Sequence, residues 1–380
     1  MLLEYGFKNF LSFKEGATVS FKLDANCPQS ISHGLDFTPV LCVKGANGSG
    51  KTHLLKALAF VADFASKSFA KKPEDAIHVA TFFGSKDPSE FYVEFCLGDT
   101  KYRYELSVTT TEVKRETLYK TVKKRTTLFE RVDAEVVSAS KALDKLKTTI
   151  KVRKNASIIS TARQYELKEL AGVYKFFENI LANVSYGGIR EGSTDIGVIS
   201  KFLHSKHEVF NFVKQFISEC DIGISDIKIL GQDGADGEKK YFPVFFHKVG
   251  ERQMPISAVT ESSGTKQLFR ILAHYKLMID TGGVLIMDEF DIYLHAHILP
   301  KILDLFLDGE KNEKRAQLLF TTHNSDILND LGRYRTYLVN KEANESFAYR
   351  LDEIPGDVLR NDRAILPVYN DGKIGGIPKL

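Results

Sequence analysis

Eight consecutive residues constrain this chain more than any other feature. Gly45-Ala46-Asn47-Gly48-Ser49-Gly50-Lys51-Thr52 follows the apolar run Pro39-Val40-Leu41-Cys42-Val43 and opens a segment, Thr52 to Phe64, with apolar residues at helical spacing. A buried strand, a glycine-rich turn and a helix are expected in that order, and the match to GxxxxGK[ST] is complete. Such a turn lets backbone N–H groups curl around phosphate oxygens at a helix N-terminus, where the dipole favours negative charge. Lys51 is placed to reach the β and γ phosphates and Thr52 to ligate a metal, so ATP with Mg2+ is the expected ligand pair.

Two further apolar runs end in reactive groups. Gly283-Val284-Leu285-Ile286-Met287-Asp288-Glu289 has the form of a Walker B strand. Asp288 is expected to hold Mg2+ through its water shell, and Glu289 to orient or deprotonate the attacking water. Gln317 to Thr322 reads as another strand, followed by His323-Asn324. Glu261-Ser262-Ser263-Gly264-Thr265-Lys266-Gln267 precedes a helical stretch through Tyr275, which places small hydroxyl residues and a glycine at a helix N-terminus.

With these residues in view, Glu261 to Thr265 resembles the signature of ABC ATPases in its SMC, RecF and OLD-like form. Asn9-Phe10-Leu11-Ser12-Phe13 resembles the opening of that branch, and His323 resembles its switch histidine. The resemblance implies an α/β fold, a two-lobed ABC-type ATPase head with a P-loop core and a mixed helical insertion. It implies ATP hydrolysis with Glu289, His323 and Lys51 catalytic, and a dimer of heads in which Ser262, Ser263 and Gly264 close on ATP held by the partner. Within the branch, the chain resembles the compact ATPases of bacterial anti-phage systems such as PARIS and Septu, and Tyr369 to Pro378 resembles their ending. A separate effector, a nuclease, is the implied partner. After His323, 57 residues remain, fewer than the roughly 100 of a typical domain, so the nuclease is expected on another chain. Two positions depart from the pattern. No glutamine lies between Lys51 and Gln164, where the branch carries one near Mg2+, and His295 stands where an aspartate is usual. A RecF-like DNA-maintenance ATPase and an ATP-binding scaffold with little turnover remain alternatives. The atypical signature and the missing glutamine disfavour a transporter subunit.

Three segments are expected: 1–113, an N-terminal lobe with the phosphate loop; 114–218, a basic strand and helical insertion; and 219–380, a C-terminal lobe. Alternation at Leu3, Tyr5 and Phe7 predicts a strand, and Glu90 to Leu97 with Tyr102 to Val108 a hairpin. Phe176, Phe177, Ile180 and Leu181 share helical spacing. Lys114 to Lys154 holds thirteen Lys or Arg against five Asp or Glu. That excess, interleaved with Tyr119 and Phe129, suits nucleic acid, a partner protein or a solvated face. No apolar run approaches the roughly 20 residues of a membrane span. Four scattered cysteines with no CxxC pair fit a reducing cytoplasm. His204, His207, His295 and His297 lack companion ligands in a metal pattern. Asp233 to Glu238 reads as a hairpin turn rather than a calcium loop.

Overall fold

The computed structural model describes the chain except residues 190–194, 222, 235–236, 293, 357, 361–362 and 378–380. It forms two compact units, one of residues 1–188, 283–290 and 315–380, the other of residues 189–282 and 291–314.

The first unit contains two sheets because its strands carry two kinds of pattern. Val40–Lys44, Val284–Met287 and Gln317–Thr321 are buried at every position, as strands covered on both faces must be. They belong to one sheet in the order Glu345–Arg350, Thr336–Glu342, Val40–Lys44, Gln317–Thr321, Val284–Met287, Ile180–Ala182. All neighbours there are parallel except the Glu345–Arg350 edge strand. One strand, ending at Thr321, therefore lies between the strand that feeds the phosphate loop and the strand that ends before Asp288. The second sheet is antiparallel, in the order Ala17–Ser20, Leu2–Lys8, Ser89–Leu97, Thr100–Val108, Val113–Thr121, Arg125–Val132, Glu135–Ala139. Its strands alternate: Thr100–Val108 buries Tyr102, Tyr104, Leu106 and Val108 and leaves the residues between them partly exposed.

The Lys51–Lys67 helix belongs to the same apolar core as both sheets, burying Leu54, Leu55, Leu58, Val61, Ala62, Phe64 and Ala65. Phenylalanine does the filling: Phe10 meets Phe91 edge-on at 5.2 Å, and Phe95 stacks on Phe176 at 4.0 Å. Gln317 ties one sheet to the other. Its Nε2 donates to Leu2 O (2.8 Å) while its Oε1 accepts from the Leu2 N–H (2.6 Å).

In the second unit, Ile224–Asp233, Lys239–Val249 and Arg252–Ser257 form an antiparallel sheet. The Ser263–Thr281 helix is capped at its start by Ser262, whose side chain accepts from the Thr265 N–H, and at its end by Gly282 in the left-handed region (φ 67°). Phe269 on that helix packs edge-on against Phe245 of the sheet (5.8 Å).

Several expectations need correction. Ile180 and Leu181 do not continue the helix of Phe176 and Phe177, which ends at Glu178. They pair with Val284 and Leu285 as an edge strand, because a three-residue strand carries too little pattern to stand out after a helix. The boundary expected at Lys114 falls inside the Val113–Thr121 strand, and the antiparallel sheet continues to Ala139. Arg252–Ser257 was not expected as a strand, since all but one of its residues are exposed and no apolar alternation marks it. The hairpin turn after Asp233 holds, with Ala235 and Asp236 outside the described residues.

A buried ion pair anchors the far side of the antiparallel sheet. Glu116 and Arg131 both have 0% exposure, with Arg131 Nη1 3.6 Å from the carboxylate. Glu116 accepts from Tyr104 Oη, Ser157 Oγ and the Ile158 N–H. Arg131 donates to the carbonyls of Asp133, Arg153 and Ala156. Burial pushes the Glu116 carboxyl up, with Arg131 and the hydrogen bonds opposing. Arg131→Ala would strand the carboxylate and three carbonyls, and is expected to cost about 3–5 kcal/mol in urea unfolding. A loss under about 1 kcal/mol would show that the pair is dispensable.

Candidate active site

The first unit brings the phosphate loop and the Asp288–Glu289 pair together at the carboxyl ends of its parallel strands, where ligands of open α/β sheets bind. Gly50 caps the Lys51–Lys67 helix at φ 114°, and a Cβ there would lie 2.7 Å from Ser346 Oγ and 2.9 Å from Ser12 Oγ. Only glycine fits. Lys51 is 9% exposed. Its Nζ donates to the carbonyls of Gly45 (2.8 Å) and Ala46 (3.1 Å). Burial pushes its ammonium down, and the Asp288 and Glu289 carboxylates pull the other way.

Asp288, 5% exposed, is gripped from two strand ends and a helix start. Thr52 Oγ1 donates to its Oδ2 (2.8 Å) and Thr321 Oγ1 to its Oδ1 (2.6 Å). Thr321 Oγ1 also accepts from the Glu289 N–H (2.8 Å). Glu289 has φ 53°, a left-handed conformation that costs a non-glycine residue about 1–3 kcal/mol and gathers at functional sites. Asn183, just past the Ile180–Ala182 strand, exchanges two hydrogen bonds with the Asp288 backbone. His323 is exposed beyond the Gln317–Thr321 strand, and its carbonyl accepts from Lys44 Nζ (3.0 Å).

A polar strap holds the loop from behind. Ser346 Oγ lies 2.6 Å from Ser49 O and 2.7 Å from Ser12 Oγ, which lies 2.7 Å from His53 Nδ1. A hydroxyl has one proton and Ser49 O can only accept. Ser346 therefore donates to Ser49 O, Ser12 to Ser346, and His53 Nδ1–H to Ser12. This gives the serine of the Asn9-to-Phe13 motif a structural task.

The residues fit a Mg2+–nucleotide pair. Among the described residues, open space surrounds the Cβ direction of Gly48, and Ser49 Oγ is buried without a hydrogen-bond partner. The neighbouring Thr52 and Asp288 oxygens are the hard donors Mg2+ takes. A family model described as "AAA domain, putative AbiEii toxin, Type IV TA system" matches residues 40–329, about three quarters of the chain. The chain belongs to this AAA family. Among solved structures, the SmcHead bound to the C-winged helix domain of ScpA matches with a TM-score of 0.54 and 13% identity, covering 92% of this chain and 97% of that one. At that identity the likeness shows the fold alone, the α/β fold of such a head. No curated protein matches the sequence.

Ser262, Ser263 and Gly264 of this AAA-family chain lie in the second unit, at the start of the Ser263–Thr281 helix. Ser262 and Ser263 are exposed. Glu261 accepts from the Ser262 N–H (2.7 Å) and meets His247 Nε2 at 2.7 Å, while Thr265 Oγ1 donates to Asp221 (3.0 Å). Tyr293, in the stretch before His295, lies outside the described residues, as does Pro378. The expected ending otherwise packs in the first unit, with Tyr369 Oη donating to Gly376 O (3.0 Å).

The basic segment is only partly free. Arg131 is buried, Arg153 donates to the Lys71 and Phe69 carbonyls, and Lys114, Arg115 and Lys120 face carboxylates. Phe129 is wholly buried and Arg125 covers the Tyr119 ring at 3.7 Å, so the expected base-stacking aromatics are taken. Lys123, Lys124, Lys145, Lys147, Lys151 and Lys154 are exposed and, among the described residues, form no ion pair.

His53 donates from Nδ1 whether neutral or protonated, so its burial, not the strap, makes this position pH-sensitive. Burial, then the Lys56 and Lys341 cations, hold its pKa down from 6.5 to about 4, against Asp288. The unfolded chain therefore protonates first, so this contribution to stability is complete above pH 6.5 and is lost as pH falls toward 4. His53→Gln is expected to flatten the decline of unfolding free energy across that window in urea titrations, and an unchanged slope would contradict the lowered pKa of the buried ring.

Proposed function

We propose that this protein is a Mg2+-dependent ATPase whose ATP-bound heads pair, and whose ATP state controls a partner effector. The observation that carries the reading is the Thr52–Asp288–Thr321 triangle beside the phosphate loop, with Glu289 held next to it. In this reading the loop's N–H groups and Lys51 bind the phosphates, Lys51 leaving the Gly45 and Ala46 carbonyls. Thr52 and Asp288 hold Mg2+, which when bound neutralises charge on the β and γ phosphates. Glu289 orients the attacking water and accepts its proton. His323 reports on the γ-phosphate, and Ser262, Ser263 and Gly264 close on the partner's nucleotide. Pairing is supported by the exposed serines at the N-terminus of a 19-residue helix, and by the resemblance to heads that complete each other's sites. Anti-phage effector control is supported by that resemblance and by the toxin named in the family's description.

A second reading, a DNA-gated maintenance ATPase, rests on the exposed lysines of the basic segment. Turnover stimulated by duplex DNA and falling steeply with salt would favour it.

Glu289→Gln should bind Mg-ATP yet turn over about 100-fold more slowly or worse, and light scattering on a sizing column should show ATP converting monomer to dimer. Full turnover in this variant, or a mass indifferent to ATP, would count against the reading.

A further inference from the structure

The Ile180–Ala182 strand stops just short of the carboxylates beside it. Its register pairs Ala182 with Ile286, and the Asn183 N–H makes the last backbone bond, to Ile286 O at 3.1 Å. The Asn183 side chain then takes over. Oδ1 accepts from the Asp288 N–H at 2.8 Å and Nδ2 donates to Asp288 O at 2.9 Å. A carboxamide carries a donor and an acceptor on one planar carbon, as a peptide group does, so one side chain stands in for the next rung of a parallel ladder. Asp288 is 5% exposed, and without that rung its N–H and C=O would lose these partners.

We propose that Asn183 is a positioning residue for the Mg2+–ATP site: its carboxamide completes the ladder around Asp288 and holds the Asp288–Glu289 backbone so that both carboxylates keep their directions. The inference rests on the Mg2+–ATP reading of the site. Glu289 needs such restraint because its left-handed backbone persists only where neighbours over-determine it. Thr321 supplies the restraint from the strand on one side, and Asn183 supplies it from the strand on the other. The segment after Asn183 also reaches the phosphate-loop helix, where Lys56 Nζ donates to Tyr186 O at 3.3 Å. Asn183 therefore sits on a short path from the metal-binding strand to the phosphate-binding helix. Neither Asp nor Ala can replace it: Asp has no donor and sets a charge against Asp288 O, and Ala offers neither group.

The test compares wild type, Asn183→Ala and Asn183→Asp in the full chain. A fluorescent ATP analogue is titrated in EDTA, Mn2+ binding to the nucleotide complex is followed by electron paramagnetic resonance, and steady-state turnover is measured. In EDTA both variants should bind the analogue within about twofold of wild type, because the phosphate loop is intact. Mn2+ affinity should fall about 10- to 100-fold, kcat should fall with it, and the metal should tighten nucleotide binding less than in wild type. A folded variant that keeps Mn2+ affinity and kcat within about twofold overturns the proposal. If Asn183→Ala does not fold, Asn183→Asp, which keeps the acceptor for the Asp288 N–H, decides by the same criteria. Wild type that binds no analogue in either condition overturns the Mg2+–ATP reading and this inference together, and is recognised before any variant is compared.

Discussion

The Asp288 carboxylate receives one hydroxyl from the start of the phosphate-loop helix and another from the end of the neighbouring strand, and the rest of the candidate site is arranged around that contact. It forms only because the strands run in parallel with Gln317–Thr321 in the middle, which brings three chain ends to one edge of the sheet. A buried carboxylate needs hydrogen-bonding or cationic partners, because its oxygens lose water on burial. Here two threonines supply the hydrogen bonds, and Thr52 is also the residue that would share a metal with Asp288. The group that stabilises the fold at this point is the group the chemistry requires.

Side chains acting as backbone substitutes recur through the first unit. Gln317 pairs with both polar groups of Leu2, and Asn183 with both of Asp288. Ser346 satisfies the Ser49 carbonyl behind the phosphate loop. Each bridges a place where regular hydrogen bonding between strands or turns has run out. Each is a short polar side chain whose removal exposes buried backbone groups, and such losses typically cost about 1–3 kcal/mol per group. The phosphate loop is thereby held from behind, and its open side faces the space over Gly48.

Much of this was legible in the sequence, and the reasons differ by residue. The phosphate loop was readable because its glycines answer a local geometric demand, seen here at Gly50. Val284–Met287 and Gln317–Thr321 were readable because strands buried on both faces leave continuous apolar runs. Asn183 was not, because its role depends on a strand 105 residues away, and nothing in Ala182-Asn183-Val184 marks an amide that pairs with a distant backbone. The basic segment misled in part for the same reason. Charge can be counted along a chain, but that Arg131 is spent on Glu116 and Arg125 on Tyr119 is a fact of sheet register. Ser12 lay in a motif whose resemblance was visible, while its contacts with Ser346 and His53 are tertiary.

In the proposed mechanism Thr52 and Asp288 together make a metal-dependent nucleotide site. Calorimetric titration of ATP into the wild type and Asp288→Asn, each with and without Mg2+, tests it most directly. Mg2+ should tighten ATP binding to the wild type, and Asp288→Asn should bind ATP in either condition with the Mg2+ effect lost. Equal tightening by Mg2+ in both proteins, or no ATP binding by the wild type, would contradict it.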